Sequence, residues 1–344
     1  MAVLTPAGRA ALADRAEAAD RGPDWPGESW AVLQRAGVLR GAVPAEFGGT
    51  GLVPTDTLQL GEALAGACLT TAFALSQRDA AVRRLIAGPP HLRGAYLPRL
   101  AAGEAFLTVG LSQLTTSRQH GGPALRATPH AGGYRLDGDV PWVTGADHAA
   151  AVVTGATLPD GTQLLAVVPT DRPGLTVGPP LDLAALRGSR TAGVRCDGVE
   201  VGPADVLAGP AEHVLGRTGG GGLETSALAL GLAGAAIDYL RAEAGRRDDL
   251  APVAEKFEAA RVGVRGRLHA LAGLTAAGDA VLAARAECTR LALRATQAAL
   301  VAAKGAGFVP PHPVQRWARQ ALFFLVWSCP RPVSADLLAD LTPV

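Results

Sequence analysis

The chain has 344 residues, and 32 Lys plus Arg against 31 Asp plus Glu leave a formal net charge of +1. So even a balance excludes a general nucleic-acid binder, which carries a basic surplus, and a hydrophobic fraction of 48% excludes intrinsic disorder. The four cysteines form no CxxC pair, which excludes a disulfide scaffold and a thiolate zinc site. The seven histidines are scattered, so no metal is expected.

The first residues, MAVLTPAGRAALADRAEAADRG, lack an apolar core of signal-peptide length. No apolar run reaches the roughly 18 residues of a spanning helix; the longest, 227–237, is short and broken by glycine. A soluble cytoplasmic chain without a membrane span is therefore expected, although the mean hydropathy is +0.20.

Residues 1–105 read as helical. Helix formers run from Ala10 to Ala19 and stop before Pro23 and Pro26, and apolar spacing of three and four marks 30–37. A glycine-rich loop follows at Val43-Pro-Ala-Glu-Phe-Gly-Gly-Thr-Gly51. Helices resume at 55–64 and 71–86, and Leu97-Pro-Arg-Leu-Ala-Ala-Gly-Glu104 closes the zone. Over 106–212 the period shortens. Strands are expected around 134–140, 149–154, 163–168 and 193–201, with turn signals at Asp137-Gly138, Pro159-Asp-Gly and Asp197-Gly198, which suggests a small barrel or sandwich. Over 213–344 Ala-rich helical stretches return at 223–246, 251–276 and 278–303, and two shorter helices follow a glycine-proline break at 304–313. This is a bundle pattern. The fold class expected is α+β multidomain, with three parts in the order helical, β, helical.

Four local patterns occur in a family's order. They are the 43–51 loop, the 97–104 helix end, Tyr134-Arg-Leu-Asp-Gly-Asp-Val-Pro-Trp-Val-Thr-Gly-Ala146, and Leu186-Arg-Gly-Ser-Arg-Thr191 followed by Gly198-Val-Glu-Val-Gly-Pro203. Together they resemble the acyl-CoA dehydrogenase family over about residues 25–340. The resemblance implies an N-terminal helical domain, a central small β-barrel and a C-terminal four-helix bundle. It also implies bound FAD, an acyl thioester substrate carried on CoA or acyl carrier protein, and a homodimer, a homotetramer or a heteromer with a related subunit. In such enzymes a carboxylate removes the α-proton while the flavin accepts hydride.

Carried over residue by residue, the resemblance places Leu111 and Ser112 on the strand that faces the flavin ring. It places Ser117 near the FAD pyrophosphate, with Arg118 where the family has aspartate. Trp142 and Thr144 fall on the best-matched positions, an indole covering the ring edge and a hydroxyl near it. Arg247 falls on the arginine that reaches a partner subunit's FAD, but the phenylalanine and glycine that accompany it are Leu250 and Ala251 here. The family's glutamate base aligns with Ser328, whose hydroxyl is not a base near neutral pH. The other place where members carry that glutamate aligns with about Gly221; Glu224, three residues on, is the surrogate, although a glutamate in a first helical turn also suits the helix dipole. Three activities follow from this pattern: α,β-dehydrogenation with a non-standard base or with a partner's help, a flavin monooxygenase reaction that needs no α-proton base, and a non-catalytic subunit that has lost FAD.

Overall fold

A computed structural model describes residues 4–115, 121–216, 222–274 and 278–342. Six helices come first: α1 (Pro6–Asp14), α2 (Ala16–Arg21), α3 (Gly27–Arg35), α4 (Pro54–Ala67), α5 (Leu69–Ile86) and α6 (Pro90–Ala102). Thr5 caps α1 by accepting the Gly8 N–H at 3.1 Å, and Pro6 supplies the first helical φ. The single helix expected near 10–19 is two. Arg15 breaks it, donating its Nη1 to the Ala11 carbonyl and its Nε to Glu28 of α3.

Eight strands follow: β1 (Leu107–Gly110), β2 (Leu125–His130), β3 (Gly133–Val143), β4 (Ala151–Thr157), β5 (Gln163–Pro169), β6 (Leu175–Pro180), β7 (Ala192–Val201) and β8 (Val206–Ala211). Their order is β6-β7-β3-β2-β4-β5-β8, with β1 added parallel to β4. The expected barrel is not closed. The outer strands β6 and β8 do not pair with each other among the described residues, and the two halves meet at one residue pair, Arg126 with Thr157. The β3–β7 ladder shifts register twice, so that part of the sheet bends. One face of the sheet buries its own core around Leu136, Val152 and Val194. Another shares a core with α5 and α6 through Leu107, Val109 and Val153.

The C-terminal part holds α7 (Leu223–Ala244), α8 (Ala251–Ala270), α9 (Gly278–Ala303), α10 (Pro313–Phe323) and α11 (Arg331–Leu341). The stretch expected to be helical to 276 stops at Ala270, and Gly273 turns the chain with φ +78°. Helix α7 is apolar almost all round and packs against α4, α8, α9 and α10. Its 22 residues make it long and apolar enough to cross a membrane by composition, with mean hydropathy 1.2, but 72% of that stretch lies buried inside this bundle. Helices α4 and α7 touch at Gly231, where a Cβ would stand 2.3 Å from the Glu62 carbonyl oxygen. All four cysteines are free thiols.

Candidate functional site

The β-region builds one continuous wall from two chain segments. Strand β1 ends at Gly110, which must be glycine: a Cβ there would lie 2.4 Å from Val140 and 3.0 Å from Val143, both on β3. The turn after β1, which begins at Ser112, also packs against β3, the strand that carries Trp142 and leads into Thr144. The chain then makes a 3-10 turn over Ser112–Leu114, pinned by Gln113. The Gln113 Nε2 group donates to the Gly110 carbonyl at 2.9 Å, the Thr154 hydroxyl at 3.1 Å and the Gly155 carbonyl at 2.9 Å. A register shift between Val140 and Val143 breaks the alternation of β3, so both valines are buried while Trp142 between them is left 49% exposed. Thr144 is buried, its hydroxyl 3.2 Å from that of Thr191, which in turn lies 2.9 Å from Ser189 Oγ.

Two polar atoms of this segment, Ser112 Oγ and Gln113 Oε1, are buried and have no hydrogen-bond partner among the described residues. An unmade buried hydrogen bond costs about 1–3 kcal/mol. Such atoms beside an exposed indole and a buried threonine fit the polar edge of a flat aromatic ligand such as a flavin ring. Ser117 and Arg118 lie outside the described residues, as does Gly221.

Arg247 is not part of this wall. It follows α7, and its Nη1 donates to the Ala302 carbonyl at 2.8 Å while its Nη2 lies 3.3 Å from Asp249. The side chain therefore satisfies the C-terminal end of α9 within its own subunit.

The two residues weighed as bases sit apart. Glu224 lies in the first turn of α7, 3.4 Å from Arg83 on α5. Ser328 lies in the turn after α10, with φ 47°. The preceding Trp327 packs edge-on against Phe73 at the other end of α5, with ring centroids 4.8 Å apart. Ten residues separate Phe73 from Arg83, about 15 Å along a helix. Between them stands Asp79, a carboxylate that sequence reasoning missed. It pairs with the buried Arg78 at 2.6 Å, and burial pushes its carboxyl above the usual range despite Arg78 and Arg83. Its sequence signal is the Arg78-Asp79 dipeptide of α5. His148 follows the wall's turn and stacks on Trp25 at 4.8 Å; burial lowers its basicity.

A separate cavity of about 680 Å³ opens where α2, the segment 182–187 and the α9–α10 corner meet. It is lined by Arg21, Arg187 and Arg319 against Leu300, Phe308 and Leu322, and it includes none of the wall residues.

Comparison with known proteins agrees with this architecture. Residues 8–104 match the family model described as acyl-CoA dehydrogenase, N-terminal domain. The chain is 29% identical over 263 residues to probable acyl-CoA dehydrogenase YngJ of Bacillus subtilis, a match covering 72% of this chain and 68% of that protein. It is 32% identical over 209 residues to amino sugar nitrososynthase RubN8 of Streptomyces rubradiris, covering 56% of this chain and 48% of that one. The match thus spans about half to two thirds of these relatives' own length. Butyryl-CoA dehydrogenase from Megasphaera elsdenii shares the fold with a TM-score of 0.86 at 18% identity, over 97% of this chain and 94% of that one. Solved chains of this fold include an FAD-dependent dehydrogenase and a complex with FMN. Residues 8–104 thus carry the N-terminal domain of the acyl-CoA dehydrogenase family, and the rest of the chain shares the fold of that family's solved members.

Proposed function

We propose that the chain is a flavin-dependent oxidoreductase whose flavin lies on the wall of Leu111, Ser112, Trp142 and Thr144, and that it works without a proton-abstracting carboxylate at residue 328. The observation that carries the first part is the buried, unpartnered Ser112 hydroxyl beside the exposed Trp142 ring. When bound, the flavin supplies the electron-accepting ring. The chain's own residues orient its polar edge through Ser112 and Thr144 and shield it with the indole.

Ser328 supports the second part. A serine hydroxyl takes no proton from a carbon acid near neutral pH, and Glu224 is held by Arg83 about 15 Å away along α5. A monooxygenase-type reaction, in which a separate reductase delivers reduced flavin and dioxygen is the oxidant, needs no such base. The likeness to a protein named amino sugar nitrososynthase is consistent with chemistry other than dehydrogenation. Dehydrogenation of an acyl thioester with Glu224 as base is the second reading, favoured by the partial exposure that Glu224 keeps beside Asp79.

Exposed apolar side chains at the end of α9 and α10, among them Val301, Phe308 and Val326, support assembly with a second copy or a related subunit. Four free thiols suit a reducing, cytoplasmic setting. The test is purification followed by an absorption spectrum with added FAD or FMN, then anaerobic mixing with a panel of acyl-CoAs. The expected outcome is a flavin spectrum that no thioester bleaches. Absence of flavin binding overturns the proposal outright, and bleaching by any acyl-CoA transfers support to dehydrogenation.

A further inference from the structure

Among the described residues three arginines are buried: Arg78, Arg285 and Arg316, at 1%, 2% and 7% exposure. Two of them have a carboxylate. Arg78 lies 2.6 Å from Asp79, and Arg316 lies 3.1 Å from Glu17. Arg285, on α9, has no carboxylate partner among the described residues. Its Nη2 donates to the Trp327 carbonyl at 2.8 Å, while its Nε and Nη1 are buried with no partner among the described residues. The guanidinium carbon stands 5.5 Å from the centre of the Phe324 ring and 5.8 Å from that of Trp327. The ionisable groups that it feels are two thiols, Cys329 and Cys288. Burial pushes its pKa down only to about 10, so the group is a cation at neutral pH.

A buried cation is normally paired, because desolvation is costly and an unmade charged hydrogen bond adds to it. Contacts with two aromatic rings offset part of that cost and leave two sets of N–H donors unmade. What covers Arg285 is thin: the residues of the turn from Trp327 to Pro330 are only half-buried, and Ser328 holds that turn in the left-handed conformation.

We propose that Arg285 and the Trp327–Pro330 turn form a binding site for a small carboxylate-bearing molecule, whose oxygens accept from Nε and Nη1. One cation balances one monoanion. The surroundings, Phe324, Trp327 and the apolar cluster of Leu282, Leu325 and Val333, suit a short hydrocarbon attached to the carboxylate. A phosphate dianion would leave a buried excess of negative charge there. The site makes no use of the flavin wall, so it stands or falls independently of the function proposed above.

The experiment titrates butyrate, at constant ionic strength in chloride, into the full-length protein with and without added flavin. Thermal unfolding and tryptophan emission are followed, with inorganic phosphate as the comparison anion. The expected result is a saturable rise in Tm with butyrate and none with phosphate, accompanied by a change in emission that is lost in Trp327→Phe while the Tm shift remains. Arg285→Met should abolish the shift, and Arg285→Lys should weaken the apparent affinity about tenfold. Ser328→Glu, which brings a carboxylate into the turn, should raise Tm by itself and remove the butyrate response. If Arg285→Met does not fold, the lysine and Ser328→Glu variants carry the comparison. No saturable shift in the wild type, an equal shift in an Arg285 variant, or an equal shift with phosphate overturns the proposal.

Discussion

The hydroxyls of Thr144 and Thr191 lie 3.2 Å apart, joining the end of β3 to the segment that enters β7. Thr191 is also 2.9 Å from Ser189 Oγ, so Thr144 is one end of a buried chain of three hydroxyls that has Thr191 at its middle. The position predicts two separable effects. Thr144→Val should weaken flavin binding about tenfold, on the order of 1.4 kcal/mol, since it removes the hydroxyl nearest the ligand. Thr191→Val should cost about 1 kcal/mol of folding stability and change flavin affinity much less. Fluorescence titration with flavin and urea unfolding of both variants measure the two quantities. Equal losses of affinity in the two variants would remove Thr144 from the binding wall.

Gly110 makes a second prediction. An alanine there meets Val140 at 2.4 Å and Val143 at 3.0 Å, and both valines belong to a packed sheet core. Overpacking of this kind costs about 1–3 kcal/mol. It should also push the Ser112–Leu114 turn off the ladder that Gln113 makes to β4. Gly110→Ala is expected to lose both stability and flavin affinity, and Val140→Ala in the same chain should restore part of each by opening room for the new methyl. A Gly110→Ala variant with wild-type stability would show that β1 does not approach Val140 and Val143 as closely as described.

The strand that carries Trp142 was legible in the sequence because the residue pattern of a strand is a local property. The Asp137-Gly138 pair, read as a turn signal, instead lies inside β3 at a register shift against β7, so the strand continues through it to Val143. Sheet closure was not legible. It depends on how β2 meets β4, and that meeting is one residue pair with no sequence signature. Arg285 was equally hidden: an arginine between Ala284 and Ala286 in an Ala-rich helix reads as solvated, and only the fold places aromatic rings over it. The same holds for Arg247, whose work at the end of α9 comes from a carbonyl 55 residues away in the chain. Long-range pairing decides all three, and a one-dimensional pattern does not contain it.

The thiols should react in a fixed order. Burial pushes Cys196 up to about 11 and Cys288 up to about 12, and it raises Cys68 and Cys329 as well. At pH 8 the thiolate fraction is then roughly one in a thousand for Cys196 and one in ten thousand for Cys288. Cys329, the one half-buried thiol, should therefore be modified first by a disulfide reagent, with the other three silent until the chain unfolds. A raised thiol pKa in the folded state means that the neutral form is favoured there. Its contribution to stability is full below the unfolded value near 9 and is lost as pH rises through 11 to 12. Timed labelling with mass-spectrometric mapping at pH 8 and pH 10 checks the order, and early labelling of Cys288 would contradict its burial.

Ser328 combines a strained backbone with a consequential position. A non-glycine residue at φ 47° pays roughly 1–2 kcal/mol relative to glycine in the same conformation. Ser328→Gly should therefore stabilise the protein by about 1 kcal/mol, reduced somewhat by the greater freedom of glycine in the unfolded chain. Ser328→Glu keeps the strain and adds a carboxylate where the sequence resemblance places the family's base. If the wall binds flavin and the new carboxylate faces it instead of pairing with Arg285, that variant should gain thioester-dependent bleaching that the wild type lacks, with a pH profile rising through the carboxylate range as the base ionises. Ser328→Gln, the same shape without the charge, should gain nothing. Urea unfolding measures the first effect, and anaerobic stopped-flow with an acyl-CoA panel measures the second. Identical spectra for the glutamate and glutamine variants across pH 5–9 would mean that residue 328 does not face the flavin.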